Sequence, residues 1–392
     1  MVEEKSVHTE ERGTLDGSVA FVADVHVWNH KRCGGPVVAG VNRRASDIIG
    51  SIREATTRSA ALGASTFVVA GDLFDAVNPP PQVMTEAISA MQAGNQRVVI
   101  LAGNHDRASN VPGDHCLGPL AHLHRFEVIE TPEILDAGDH TIAAIPFLPG
   151  HAPDYLPSVV RDLGAPEGSV LCLHLGVYDD NTPFYLKDSD DAVPASLVLA
   201  LCREHGFPAA VVGNWHERRA WKGEDGTIIQ QIGALAPTGW DNPGIDPYGG
   251  VAFWNGDRIV MGTAPGPRFL KLTEPKHFDE LEGILSGQMV QPSESNDGCT
   301  FYVRAHARRG DEDTARERLS AIKNGPGGEA ITAFEVVPDA TKAKEAAKQA
   351  AADTRAAGQD MDTAIRAYVQ SMDIPDHVRD AVCRDAMRFM GQ

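Results

Sequence analysis

The patterned part of the chain opens with short, predominantly apolar runs at 18–23, 66–70 and 98–102, separated by longer stretches of mixed character. Between them, 44–62 and 82–91 carry apolar residues at helix-compatible spacing. This alternation predicts βαβ units whose parallel strands are buried on both faces. Further strands are expected at 141–145, 170–173, 209–212, 227–232, 251–254 and 258–261. Helical spacing is sparser there and turn residues denser, so mixed or antiparallel pairing is expected for this half.

A Pro/Gly stretch, Ala264-Pro265-Gly266-Pro267, marks a boundary near residue 266. Beyond it the pattern predicts strand 268–272, helix 277–285, strand 301–307, helix 312–322 and strand 331–337. Together these make a small βαβαβ accessory domain over 267–337, with 293–298 as a surface loop. From 338 the composition turns to Ala, Lys, Asp and Gln, and 338–359 reads as a tether. Apolar spacing then returns in two stripes. Ala364, Ile365, Tyr368, Val369 and Met372 form the first, and Val378, Val382, Ala386 and Phe389 the second. A helical hairpin over 360–392 of this kind needs a surface to pack on, either a partner's or the chain's own. At the other end, the polar residues 1–17 are expected to form a disordered extension.

Composition narrows the class. With 392 residues, 42% of them hydrophobic, the chain can build one large domain and smaller ones. Its cysteines (Cys33, Cys116, Cys172, Cys202, Cys299 and Cys383) are scattered without a Cys-x-x-Cys pair and read as mostly buried thiols. Residues 1–16 lack the pattern of a secretory signal, and no apolar run approaches the roughly 20 residues that span a bilayer. A cytoplasmic protein without membrane association is the expectation. The net charge of −19 opposes a simple nucleic-acid-binding reading. Local basic clusters nevertheless lie near the motifs described next: Lys31-Arg32, Arg43-Arg44, Arg107, and Arg218-Arg219 with Lys222.

Five motifs follow apolar runs: Asp24-Val25-His26, Gly71-Asp72, Gly103-Asn104-His105-Asp106, His174, and Gly213-Asn214-Trp215-His216. Strand ends in open α/β sheets face a shared crevice, so ligands distant in sequence can converge there. Oxygen and imidazole donors without thiolate suit manganese, iron or zinc. Two such cations about 3.5–4 Å apart can neutralise a phosphate ester while generating hydroxide from water. Strand alternation places Asp24 and His26 on one face. Asp72 is the carboxylate placed to bridge two metals. Asn104 can ligate through its amide oxygen, leaving His105 to contact phosphate or protonate the leaving oxygen while Asp106 orients its ring. His174 and His216 are the expected imidazole ligands. His30, His115, His122, His124 and His205 have no comparable setting and are expected to be structural or on the surface.

The set and its order resemble the calcineurin-like metallophosphoesterase superfamily, whose motifs run D-x-H, GD, GNH[DE], H and GHxH. All five are present across about 18–220. The resemblance implies an α/β fold over 18–266, a sandwich of two mixed β-sheets flanked by helices. It also implies Asp24, His26, Asp72 and His216 around one metal, and Asp72, Asn104, His174 and Asn214 around the other. Asn214 stands where the family carries a histidine. An amide oxygen is a weaker ligand than imidazole, so the second metal is expected to bind loosely, to be completed by water, or to favour manganese or magnesium. Within the superfamily, the Gly71-Asp72-Leu73-Phe74-Asp75 form, the accessory domain and the hairpin look like the SbcD family of DNA-repair nucleases, whose layout bacteriophage recombination nucleases share. That likeness implies a cap over a DNA-facing cleft at 267–337, and a hairpin docked on the coiled coil of an SbcC-type ATPase.

The function expected is therefore a manganese-dependent DNA exonuclease or endonuclease subunit, with magnesium, iron or zinc as alternative ions. A hydroxide bridging the metals attacks phosphorus in line, and His105 or water protonates the departing oxygen. Arg107, Arg218 and Arg219 are candidates for phosphate contacts. Trp28, Trp215, Trp221 and Trp240 are candidates for base stacking, with core packing expected for at least half of them. A homodimer is compatible with this layout. The rival is a small-nucleotide phosphodiesterase or phosphatase, which fits the acidic charge but leaves the accessory domain and hairpin without a role. A non-catalytic scaffold fits poorly, because only position 214 departs from the ligand pattern.

Overall fold

The computed structural model describes residues 15–338, apart from 112, 183, 188, 238, 241–248, 263–265, 287–299 and 309. The expected loop at 293–298, the hairpin, and the tether beyond Pro338 lie outside these residues, as does the extension up to residue 14. Residues 15–17 do not continue that extension. Leu15 is fully buried, and the Gly17 N–H donates to the Gly63 carbonyl at 2.9 Å. An apolar side chain next to the first strand finds the core instead.

Two six-stranded sheets form the body. In the first, Ile259–Gly262, Val251–Trp254, Val19–Val22, Thr66–Val69, Arg97–Leu101 and Phe126–Ile129 lie side by side in that order. Its four strands from Val19 to Ile129 are parallel, and the two late strands add on antiparallel. In the second, the order is Arg219–Lys222, Ile228–Gln231, Ala209–Gly213, Val170–His174, Thr141–Ile145 and Glu133–Asp136. The four inner strands here are also parallel, with antiparallel strands only at the two edges. The second half is thus mixed in pairing, as its sequence suggests, with the parallel strands at the centre of the sheet. The helices Ala152–Leu163 and Ala195–His205, which sequence reading missed, supply crossovers. Pro157 inside the first of them masks its helical character, because proline removes a backbone donor.

The sheets face each other across a dry layer that includes Val19, Phe21, Val68, Val99, Val170, Cys172 and Val211. Helices Arg43–Ala61 and Pro81–Gln92 cover the outer face of the first sheet, and the two crossover helices that of the second. Asn42 caps the first of these helices by accepting the Ala45 N–H, and Ile48, Ile49, Ile52 and Ala55 make its buried stripe. Strands covered on both faces explain why the runs read as continuous apolar sequence. No helix among the described residues is long and apolar enough to cross a membrane.

A third, wholly parallel sheet pairs Thr300–Ala307 with Pro267–Leu272 on one side and Ile331–Pro338 on the other. Helices Pro275–Leu285 and Glu312–Lys323 connect its strands and share an apolar core with it. It is joined to the body through an aromatic and basic contact. Trp240 is buried against Phe269, which stacks on Tyr302, while the guanidinium groups of Arg32 and Arg304 lie over the Trp240 ring at 4.8 and 4.1 Å. Arg44, only 2% exposed, places its own guanidinium over Phe269 and donates to the Arg32 carbonyl. The Tyr302 hydroxyl donates to Asp47 on the helix Arg43–Ala61 at 3.0 Å.

Tyr302→Phe removes that one bond and leaves the ring stack in place. The expected loss is about 1–2 kcal/mol in urea denaturation, and an unchanged midpoint would show that the bond does not help hold the units together.

Candidate metal centre

Each expected ligand motif sits where a strand of the sandwich ends. Val19–Val22 delivers Asp24 and His26, Thr66–Val69 delivers Asp72, and Arg97–Leu101 delivers Asn104 and His105. From the facing sheet come His174 and, after Ala209–Gly213, Asn214 and His216. Strand alternation is not what aims them. Asp24, His26, Asp72 and Asn214 all have positive φ, at 51, 49, 53 and 92°. Left-handed backbone is uncommon outside glycine, and its repetition here turns successive loops inward at the same crevice.

Space for that convergence comes from glycine. A Cβ on Gly71 would lie 1.9 Å from His174 Nδ1, and one on Gly103 would lie 2.0 Å from Asp72 Oδ1. The glycines of these two motifs therefore allow two chain segments to pass at contact distance.

Among the described residues the ligand-like atoms gather in three overlapping clusters: a rim group of His26, Asp75 and His105, and two that hold expected ligands throughout, Asp24–Asp72–His174 and Asp24–His26–His216. His174 is buried, and its Nδ1 lies 2.7 Å from the Ala70 carbonyl. A carbonyl only accepts, so Nδ1 carries a proton and Nε2 is aimed at Asp72 Oδ2 (3.5 Å) and Asn104 Oδ1 (3.1 Å). In the other cluster, His26 Nε2 and His216 Nε2 are 3.0 Å apart, with Asp72 Oδ2 3.7 Å from the former. Two imidazole nitrogens converging beside two buried carboxylates form the mixed nitrogen and oxygen donor set that a divalent cation takes. The residues present thus fit a pair of cations.

Electrostatics in the metal-free protein point the same way. Burial alone would raise the Asp72 carboxyl, but His174, His26 and His105 hold it well below the usual range. Burial pushes Asp24 up to about 6, helped by the charge of Asp72 and opposed by His174. His174 resists the lowering effect of burial and is raised to about 9 by Asp72. The uncharged alternative would leave buried carboxylates uncompensated, which is costly.

One role expected from sequence is corrected. Asp106 does not orient the His105 ring. It is fully buried and accepts the N–H groups of Gly103 (3.0 Å), Phe74 (3.0 Å) and Leu73 (3.3 Å), so it ties the third motif to the second. Those amides lie closer than the ring and satisfy a carboxylate cut off from water. His105 is positioned instead by Asp75, whose backbone carbonyl accepts from its Nδ1 at 3.0 Å, while the His105 N–H donates to Asp72. The His105 ring is exposed at the rim.

Asp75 escaped sequence reading as a site residue. Its carboxylate lies 3.4 Å from His26 Nδ1 and 3.8 Å from His30 Nδ1. Its position three residues after Asp72 was the available signal. Of the candidate phosphate contacts, Arg107 donates to the Glu130 carbonyl and Arg219 to Glu217 and Thr182. Arg218 is half-buried two residues after His216. Trp221 donates to Asp179, and Trp240 is 1% exposed at the junction, too enclosed to meet a base.

Residues 17–223, just over half of the chain, match the family model described as calcineurin-like phosphoesterase. The chain belongs to that family. A phosphoesterase of this family is a metal-dependent hydrolase, which agrees with the candidate dimetal site. No match was found among curated proteins. Among solved structures this phosphoesterase is similar to a dimetal phosphatase from Danio rerio, at 12% identity and TM-score 0.41, over 63% of this chain and 95% of that one. It is also similar to a purple acid phosphatase from yellow lupin (Lupinus luteus) seeds, at 13% identity and TM-score 0.39, over 60% and 48%. A third is a putative 5′-nucleotidase from Staphylococcus aureus, at 13% identity and TM-score 0.38, over 63% and 53%. The chain spans about half the length of the last two proteins.

Gly71→Ala and Gly103→Ala should each displace His174 or Asp72 and abolish tight metal uptake while leaving far-ultraviolet circular dichroism near that of the parent. Full metal content in either variant would show that the loops can separate at no cost. A second expectation concerns pH. His174 has a folded value near 9 against an ordinary 6.5, so its ion pair with Asp72 stabilises the metal-free protein below about 6.5 and fades as pH rises through 9. A cation must displace that proton. Metal affinity should therefore increase from pH 6.5 to about 9 and then level off, with proton release at neutral pH detectable by calorimetry in buffers of different ionisation enthalpy.

Proposed function

We propose that this phosphoesterase is a DNA nuclease subunit of the SbcD type, acting in the cytoplasm on DNA together with an SbcC-type coiled-coil ATPase. The observation that carries the reading is the seating of the parallel three-stranded unit on the segment that leads away from the first ligand motif. Downstream of His26 the chain runs through Arg32, Arg44 and Asp47, which touch Glu335, Phe269 and Tyr302 of that unit. In this reading a second unit seated on that segment would cap the cleft, which suits a substrate that extends past the cleaved bond, as a polynucleotide does.

In this reading Asp24, His26, Asp72 and His216 hold one cation, and Asp72, Asn104, His174 and Asn214 the other, with manganese the ion best suited to the donors. Bound cations supply neutralisation of the phosphate charge and activation of water. The chain's own contribution is positional and protonic. The Asp75 carbonyl fixes His105 Nδ1, so the ring's other nitrogen is the one available to touch phosphate or protonate the departing sugar oxygen. The ATPase partner rests on the two apolar stripes of 360–392.

A small-nucleotide phosphodiesterase is the second reading. It is favoured by the internal commitments of Arg107 and Arg219 and by the net charge of −19, which leave the crevice poorly equipped for a long polyanion.

Cleavage of linear and single-stranded DNA with manganese, beside hydrolysis of a chromogenic phosphodiester, separates the two. The nuclease reading expects DNA cleavage, reduced about 10²–10⁴-fold in His105→Ala. Turnover of the small ester alone would sink it.

A further inference from the structure

We infer that Asp191 is a positioning residue for the second cation: its carboxylate takes the amide N–H of Asn214 and so turns the Asn214 amide oxygen toward the centre as a ligand. The inference rests on the reading of Asn214 as a ligand and deepens it.

Asparagine differs from histidine at such a position in a way that matters. An imidazole presents a lone pair in the plane of a rigid ring, whereas an amide has a donor end and an acceptor end that exchange places by rotating half a turn. Something outside the side chain must choose the end that faces a cation. Asp191 makes that choice here, with Asn214 Nδ2 lying 2.9 Å from Asp191 Oδ2. An ionised carboxylate accepts and does not donate, so the amide nitrogen must face it and the oxygen is left for the other side.

The rest of the surroundings fixes both partners. The Asn214 N–H donates to both carboxylate oxygens of Asp24 at 3.0 Å, and its backbone is held at φ 92°. With the main chain pinned to a cation-binding carboxylate, side-chain rotation is the freedom that remains. Asp191 is anchored in turn. Ser189 donates its hydroxyl to Asp191 Oδ1, and the Asp191 carbonyl accepts the Gly176 N–H at 2.8 Å. That bond precedes a parallel pairing of Gly176–Tyr178 with Ala192–Pro194, which begins two residues after His174. The short strand that follows His174 therefore sets the place of Asp191.

Asp191 belongs to none of the converging ligand clusters among the described residues, and its carboxylate is engaged by Asn214 and Ser189, which suits a role exerted through Asn214. A carboxylate behind a ligand is the arrangement that orients metal-binding histidines elsewhere, and here it serves an amide. It would also polarise the amide oxygen, adding negative character to the weakest donor of the set.

The test is manganese binding to the full-length protein, followed by calorimetry and by the paramagnetic resonance signature of two coupled ions. Four chains beside the parent suffice: Asn214→Ala, Asp191→Ala, the double variant, and Asp191→Ala combined with Asn214→His. The first cation should bind as in the parent throughout. The second should weaken about 10–100-fold in Asp191→Ala and lose the coupled signal at equal manganese. The double variant should be no worse than Asn214→Ala, because the two residues act in series. Asn214→His should restore the second cation without Asp191, since an imidazole can move its proton off the nitrogen that faces the cation whereas an amide's donor and acceptor ends are fixed.

Additive losses in the double variant would overturn the inference by giving Asp191 an independent role. A second cation unchanged in Asp191→Ala but weakened in Asn214→Ala would overturn it while leaving Asn214 a ligand. No change in Asn214→Ala would instead remove the ligand reading, and the inference with it. Asp191→Leu, similar in size and without an acceptor, repeats the measurement if the alanine chain fails to fold.

Discussion

The carboxylate of Asp72 lies almost out of reach of water between strand ends of two sheets, and its charge sets the state of its neighbours. A buried anion is tolerable only with compensation, and here imidazoles provide it from three separate motifs. Without cations, His174 keeps an extra proton for this purpose, and Asp24 and Asp106 are pushed toward their neutral forms. Cations in the same space would relieve all of these strained ionisations together. The protonation of the metal-free centre is thus a negative image of the charge it is built to receive.

Such a centre requires chain segments to come closer than ordinary side chains allow. Gly71 and Gly103 remove the atoms that would collide, and four residues with positive φ bend the loops inward. Asp106 then bonds the second motif to the third through three backbone amides. Local strain of this kind persists only where a rigid surround imposes it, and two sheets clasping a dry layer supply that surround. The aromatic and basic junction extends the same rigidity to the third sheet, and it uses Arg44 and Trp240 as packing groups, the role expected from sequence for at least half of the tryptophans near the motifs.

Much of this was legible because parallel strands buried on both faces leave continuous apolar runs, and each ligand motif here follows such a run. Asp24, His26, Asp72, Asn104, His174 and His216 could be picked out for that reason. The errors fall where contact rather than pattern decides. Asp106 looked like a partner for the next ring along the chain, yet backbone amides from another loop reached it first. The partners that Arg107 and Arg219 take in the fold, Glu130 and Glu217 with Thr182, likewise carry no pattern of their own. The two crossover helices of the second sheet went unread, one of them because Pro157 obscured its spacing.

By itself, then, the sequence determined the alternating α/β architecture and the kinds of donor atoms placed at strand ends, because both follow from local spacing: burial on two faces and the chemistry of single side chains. Tertiary structure alone decided which atoms meet. The Asp191–Asn214 pair joins residues 23 positions apart, and the His26–His216 pair joins residues 190 apart. Hydrogen bonds and charge interactions act over a few ångströms of space, and distance along a chain says nothing of that until the sheets have closed on each other.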